Sequence, residues 1–149
     1  MLYDLITNQV VVVPLGAWAV AQLLKTLLEL KKTKRFDLRY VVATGGMPSS
    51  HSAIVAALAT TVAMVQGVSS VAFGITCIIA LIVMYDSAGV RKAVGQQAVV
   101  LNRIVEEIRF RRPLVEVERD LRELIGHTPL QVVAGAFLGI FISWLWIIL

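Results

Sequence analysis

The chain of 149 residues contains two histidines, His51 and His127. Histidine can be neutral or protonated near neutral pH, which makes it the natural carrier of acid–base or nucleophilic chemistry. Both stand where a helix is expected to begin. Ser50 or Ser52 can cap a helix running on from His51, and Thr128-Pro129 is a cap followed by a first-turn proline after His127. A helix start presents outward amide N–H groups and the positive end of the macrodipole. Two of them on one side would make a site for an anion, phosphate above all. Lys25 and Arg91 lie at the ends of neighbouring apolar stretches and can add fixed positive charge in the same plane, while Asp86 is the only acid between Arg39 and Glu106. Taken singly, each has a plainer role: a capping histidine, a snorkelling or topology-setting basic residue, a turn at Gly45-Gly46. Their grouping carries the chemical reading. The lone cysteine, Cys77, sits inside an apolar run and reads as a small buried hydrophobe.

The elements that must position these groups follow from composition and charge placement. With 58% hydrophobic residues, 16% charged residues and a mean hydropathy of +0.79, the chain is too apolar for a soluble domain and too hydrophobic for disorder. Its length fits a single domain, 1–149. All fourteen Lys and Arg fall in two segments, six from Lys25 to Arg39 and eight from Arg91 to Arg122. Such segregation is the mark of a membrane protein whose basic loops face one side. A nucleic-acid partner is excluded despite the pI near 9.6, because the basic segments lie between long apolar runs and acids dilute the second; anionic lipid headgroups are the expected partner.

Uncharged runs and turn signals place four spans at about 5–24, 52–65, 68–84 and 130–149, with cytoplasmic segments 25–51 and 85–129. The second span is short and is expected to be tilted or to begin inside a protein-lined cavity. Four spans put both basic segments on the cytoplasmic side and both termini on the opposite one. Within the second segment, Val94, Ala98, Leu101, Val105 and Ile108 form one helical stripe, and Leu114, Val117, Leu121 and Leu124 another. The expected fold is an all-α integral membrane protein, a small bundle of about four transmembrane helices with amphipathic cytoplasmic helices. Small residues, Ala53, Ala56, Ala57 and Ala59 in span two and Ala134, Gly135, Ala136 and Gly139 in span four, allow close helix approach. That would bring the two histidines together, or equally mediate a homodimer.

The segment Gly45-Gly46-Met47-Pro48-Ser49-Ser50-His51-Ser52 resembles the Pro-Ser-x-His signature of the type 2 phosphatidic acid phosphatase (PAP2) superfamily. Tyr85-Asp86-Ser87-Ala88-Gly89-Val90-Arg91-Lys92 and Gly126-His127-Thr128-Pro129-Leu130-Gln131-Val132 bring the resemblance to the small divergent branch of that superfamily, related to acid phosphatases and vanadium-dependent haloperoxidases, over nearly the whole chain. The resemblance implies a metal-independent, cofactor-free phosphatase working through a phosphohistidine, with His127 as nucleophile and His51 as general acid and then base. Lys25, Arg91 and the amides around Ser49 and Ser50 would hold the phosphoryl oxygens. No Arg-Pro follows Lys25 and no Ser-Arg precedes His127 at the superfamily spacing, so Lys25 and Arg91 are assigned by position. Gln131 stands where the superfamily places a carboxylate that orients the nucleophilic imidazole; an amide can fix the tautomer without adding charge, and Asp86 could supply the charge if span three brings it beside His127.

The resulting expectation is a phosphatase acting on a membrane phospholipid phosphomonoester, phosphatidylglycerophosphate or phosphatidate, at the cytoplasmic face of a bacterial plasma membrane. A catalytically weak or inactive lipid-phosphate-binding or scaffold protein is the alternative, and a small transporter fits less well because the spans hold no buried charge ladder.

Overall fold

The computed structural model of the chain describes residues 2–33, 46–89, 97, 99–101 and 127–149. Five α-helices run through them: α1 (Leu2–Thr7), α2 (Gln9–Thr33), α3 (Ser50–Gln66), α4 (Val71–Ala88) and α5 (Pro129–Ile148). Windows of 18 to 23 residues in α2, α4 and α5 are long and apolar enough to cross a membrane. The 17 residues of α3 span about 26 Å, slightly less than the roughly 30 Å hydrocarbon core. It is also the most enclosed helix, packed against α2, α4 and α5. Shielded by protein in this way, it has less need to match the thickness of the lipid.

Local chemistry explains the boundaries. The first span begins at Gln9 rather than at residue 5, because Asn8 interrupts the chain: its side chain accepts from the Val10 amide at 2.9 Å and its carbonyl accepts from Val11 and Val12. It also runs on to Thr33, past the expected end at 24, since no glycine or proline follows Lys25 to stop it. Charge marks the edge of the apolar run but does not end a helix. The helix expected at 52–65 widens to 50–66, and the one expected at 68–84 is shifted along the chain to 71–88. Ser49, rather than Ser50 or Ser52, caps α3, Gly67 ends it at φ 86°, and Ser70 caps α4. For the last span the expected Thr128 cap and Pro129 at the first turn are found as read. Residues 97 and 99–101 are helical, but the rest of the two amphipathic stripes at 94–124 and Arg91 lie outside the described residues.

The interior is small and polar while the large side chains face outward. Ala17, Ala53, Ala57, Ser52, Thr61 and Ser143 are buried, whereas Leu23, Ile78, Leu81, Phe137, Phe141 and Trp144 are exposed. This inverts a soluble core, as expected where lipid covers the outer surface and helices gain by bringing backbones close. On α3, Ser49, Ala53, Ala57 and Thr61 recur every four residues, as do Gln131, Gly135, Gly139 and Ser143 on α5. The two stripes meet in order. Gly135 lies against the Ser49 carbonyl and Gly139 against the Ala53 carbonyl, while Ser143 donates to the Ala57 carbonyl at 3.0 Å and accepts from Thr61 Oγ1 at 3.3 Å. Matched order along both helices means that α3 and α5 run parallel, with both helix starts at one end.

The Thr61–Ser143 clasp gives a stability prediction. Interhelical hydrogen bonds in membrane proteins average about 0.6 kcal/mol and reach about 1.7. Ser143→Ala is therefore expected to lower stability in detergent by about 1 kcal/mol. Ser143→Leu, which must fit a larger side chain into a fully buried position, should cost about 1–3 kcal/mol more. Thermal or denaturant unfolding of the two variants checks the order.

Candidate functional site

Three helix ends converge on His127. Its backbone N–H donates to the Ser87 carbonyl at 3.0 Å, filling one of the acceptors that the C-terminal turn of α4 leaves unsatisfied. Directly after it, Thr128 caps α5 in a full capping box: the Gln131 amide N–H lies 3.4 Å from Thr128 Oγ1, and the Thr128 N–H donates to Gln131 Oε1 at 3.0 Å. The third end is the start of α3, joined to α5 by the Ser49 N–H donating to the Gln131 carbonyl at 3.0 Å. Gln131 thus touches both halves of the site, with its backbone on the cap of α3 and its side chain on His127.

That side chain decides the form of the imidazole. An amide nitrogen cannot accept a hydrogen bond, so the group facing the Thr128 N–H must be Oε1. The same oxygen lies 3.2 Å from His127 Nδ1. Since Oε1 only accepts, Nδ1 carries the proton in the neutral ring, and Nε2 keeps the lone pair. The ring is held deep, with His127 only 3% exposed. His51, in the first turn of α3 and half-buried, places its ring centroid 5.9 Å from that of His127, the planes inclined at 59°.

The remaining residues fall around this pair unequally. Ser49 is fully buried and occupied as a cap: its hydroxyl oxygen accepts from Ser52 Oγ at 3.1 Å and lies 3.4 Å from the Ser52 amide, while its own amide is held by Gln131. Ser50, also buried, opens α3, so the first-turn amides begin with it. The two helix starts are not equivalent as anion sites. Pro129 has no N–H and the Gln131 amide bonds back to Thr128, which leaves α5 with less to offer than α3.

Lys25 is 5% exposed, inside α2 rather than at its end, and its Nζ donates to Gln22 Oε1 at 2.7 Å. Its stem passes Gly46, where a Cβ would stand 3.2 Å from Lys25 Cγ; at φ 83° this is a backbone position suited to glycine. The lysine is therefore brought to the segment that leads into Ser49. Asp86 is half-buried in the last turn of α4, next to Ser87, but the orienting contact at His127 Nδ1 is made by Gln131. Among the described residues no three of His, Cys, Asp and Glu are grouped to hold a metal ion.

A family-level sequence comparison matches residues 6–142 to proteins described as the divergent PAP2 family. The chain belongs to this family. YuiD, an uncharacterized membrane protein of Bacillus subtilis (strain 168), is 38% identical, with 94% of each chain covered. No solved structure matches. Within this divergent PAP2 protein, sequence reading missed Gln22, Thr61 and Ser143. The last two were readable as members of the four-residue stripes, while Gln22 had no signal beyond standing one turn before Lys25.

Proposed function

We propose that this divergent PAP2 protein is a membrane phosphatase that removes the phosphomonoester of a phospholipid through a phosphohistidine. The observation that carries the reading is the pairing of His127, whose Nδ1 is held by Gln131 so that Nε2 keeps its lone pair, with a second imidazole 5.9 Å away. Nε2 of neutral His127 attacks phosphorus as the bond to the leaving oxygen breaks, and protonated His51 gives that oxygen its proton. His51, now neutral, takes a proton from water as the water oxygen attacks phosphorus. The phosphorus–nitrogen bond then breaks and releases phosphate.

Charge on the five-coordinate transition state is met by Lys25, by Ser50 with the first-turn amides of α3, and by Arg91. The carbonyl end of α4 at Ser87 favours the cationic ring that forms on phosphorylation of His127. No step calls for a cofactor. Phosphatidylglycerophosphate and phosphatidate are the substrates favoured by a cytoplasmic site, with the basic segments facing anionic headgroups. A specific feature favours a second reading: the neutral amide of Gln131 in place of a carboxylate suits a lipid-phosphate-binding protein with little or no turnover.

Phosphate release from both lipids by the purified protein in micelles containing EDTA decides between the two. The expected result is turnover above a protein-free control, inhibited by micromolar to millimolar vanadate. Vanadate binding without turnover would establish the binding protein instead.

A further inference from the structure

We propose that Gly135 is a positioning residue whose missing side chain sets the distance between the two imidazoles. A Cβ built on Gly135 would overlap the Ser49 carbonyl oxygen and lie 3.0 Å from both the Ser49 carbonyl carbon and Ser52 Cβ. Ser49 caps α3 two residues before His51, and Gln131, one turn before Gly135, holds His127. The two units are joined directly, since the Ser49 N–H donates to the Gln131 carbonyl at 3.0 Å. The atom that a methyl group would meet is main-chain oxygen in a fully buried cap, which no rotamer change can move. A side chain at 135 must therefore push the start of α3 away from the start of α5, and the imidazoles with it.

Gly139 supplies the contrast. One turn further along α5, its Cβ would overlap the Ala53 carbonyl oxygen and stand 2.9 Å from the Ala57 nitrogen, an equivalent packing defect farther from the histidines. The distance role stands on geometry, and only its consequence for turnover rests on the phosphatase reading.

The test is an NMR titration of the full-length protein in micelles with 13C-labelled histidine. At 5.9 Å each imidazole feels the charge of the other, so the pair in the unaltered protein is expected to titrate in two separated steps. Lys25 on α2 and Asp86 on α4, the charged groups on the helices around the pair, are retained in every variant. In folded Gly135→Ala the gap between the steps should narrow, and metal-free phosphate release should fall at least tenfold further than in Gly139→Ala, even where the two variants share a thermal midpoint. An unchanged gap overturns the proposal, as do equal losses in the two variants of a protein that does release phosphate. Should Gly135→Ala not fold, the pair Ser52→Gly and Ser52→Gly with Gly135→Ala carries the test, since removing Ser52 Cβ relieves one of the three close contacts: a narrower gap in the double variant than in Ser52→Gly supports the proposal and an equal gap overturns it. A narrowed gap in a protein that releases no phosphate refutes the phosphatase reading alone.

Discussion

Replacing His127 by alanine is expected to lower metal-free hydrolysis of a lipid phosphomonoester by about 10⁴-fold or more, because the step that forms the covalent intermediate is lost. The fold should survive. The bonds anchoring this corner, His127 N–H to Ser87 carbonyl and Thr128 N–H to Gln131 Oε1, use no atom of the imidazole. His51→Ala should behave differently, since an acid catalyst contributes about 10²–10⁴-fold and matters least where the leaving group needs no proton. Its deficit is therefore expected to shrink when a nitrophenyl phosphate replaces the lipid, while the His127→Ala deficit stays. Initial rates of phosphate release on both substrates, with acid-labile phosphoprotein assayed in parallel, separate the roles. Full activity in His127→Ala would remove the mechanism.

The parts of this arrangement that were legible in the sequence are those written in local chemistry. Thr128-Pro129 with Gln131 three positions after the cap is a capping signature, and the four apolar helices among the described residues follow from the uncharged runs and the turn signals that divide them. Less legible were the points where two elements meet. Nothing around Ser49 announces that its amide is taken by the Gln131 carbonyl, which turns an expected phosphate ligand into a helix joint. Lys25 marks the end of the uncharged run but not of the helix, because the residues after it, with no glycine or proline among them, let α2 run on to Thr33. The residue types already allow Gln131 to fix the tautomer that a carboxylate would, with Asp86 left to supply charge, and the contact at Nδ1 is indeed made by Gln131. The capping box shows how an amide fixes the same tautomer, with its oxygen directed by a backbone donor.

That amide makes Gln131 the position where orientation and charge can be separated. Gln131→Leu abolishes both the cap contact and the acceptor at Nδ1, so the ring is free to take the tautomer that protonates Nε2. A comparable loss of tautomer control in a serine-protease triad costs about 10⁴-fold, and a fall of about 10²–10⁴-fold is expected here, together with about 1 kcal/mol of stability from the lost cap contact. Gln131→Glu keeps the capping box and adds a negative charge beside the imidazole. An opposite charge at this distance favours the protonated ring. Since the nucleophile must be neutral, the acid limb of kcat/KM should move to higher pH. Above that limb the variant should turn over faster than the unaltered protein, because the carboxylate stabilises the charge that the ring acquires on phosphorylation. A pH–rate profile of the three proteins from pH 5 to 9 reads both effects. If Gln131→Glu left the profile in place while Gln131→Leu remained fully active, the contact at Nδ1 would be a helix cap and no more, and the ring that attacks phosphorus would have to be sought at His51.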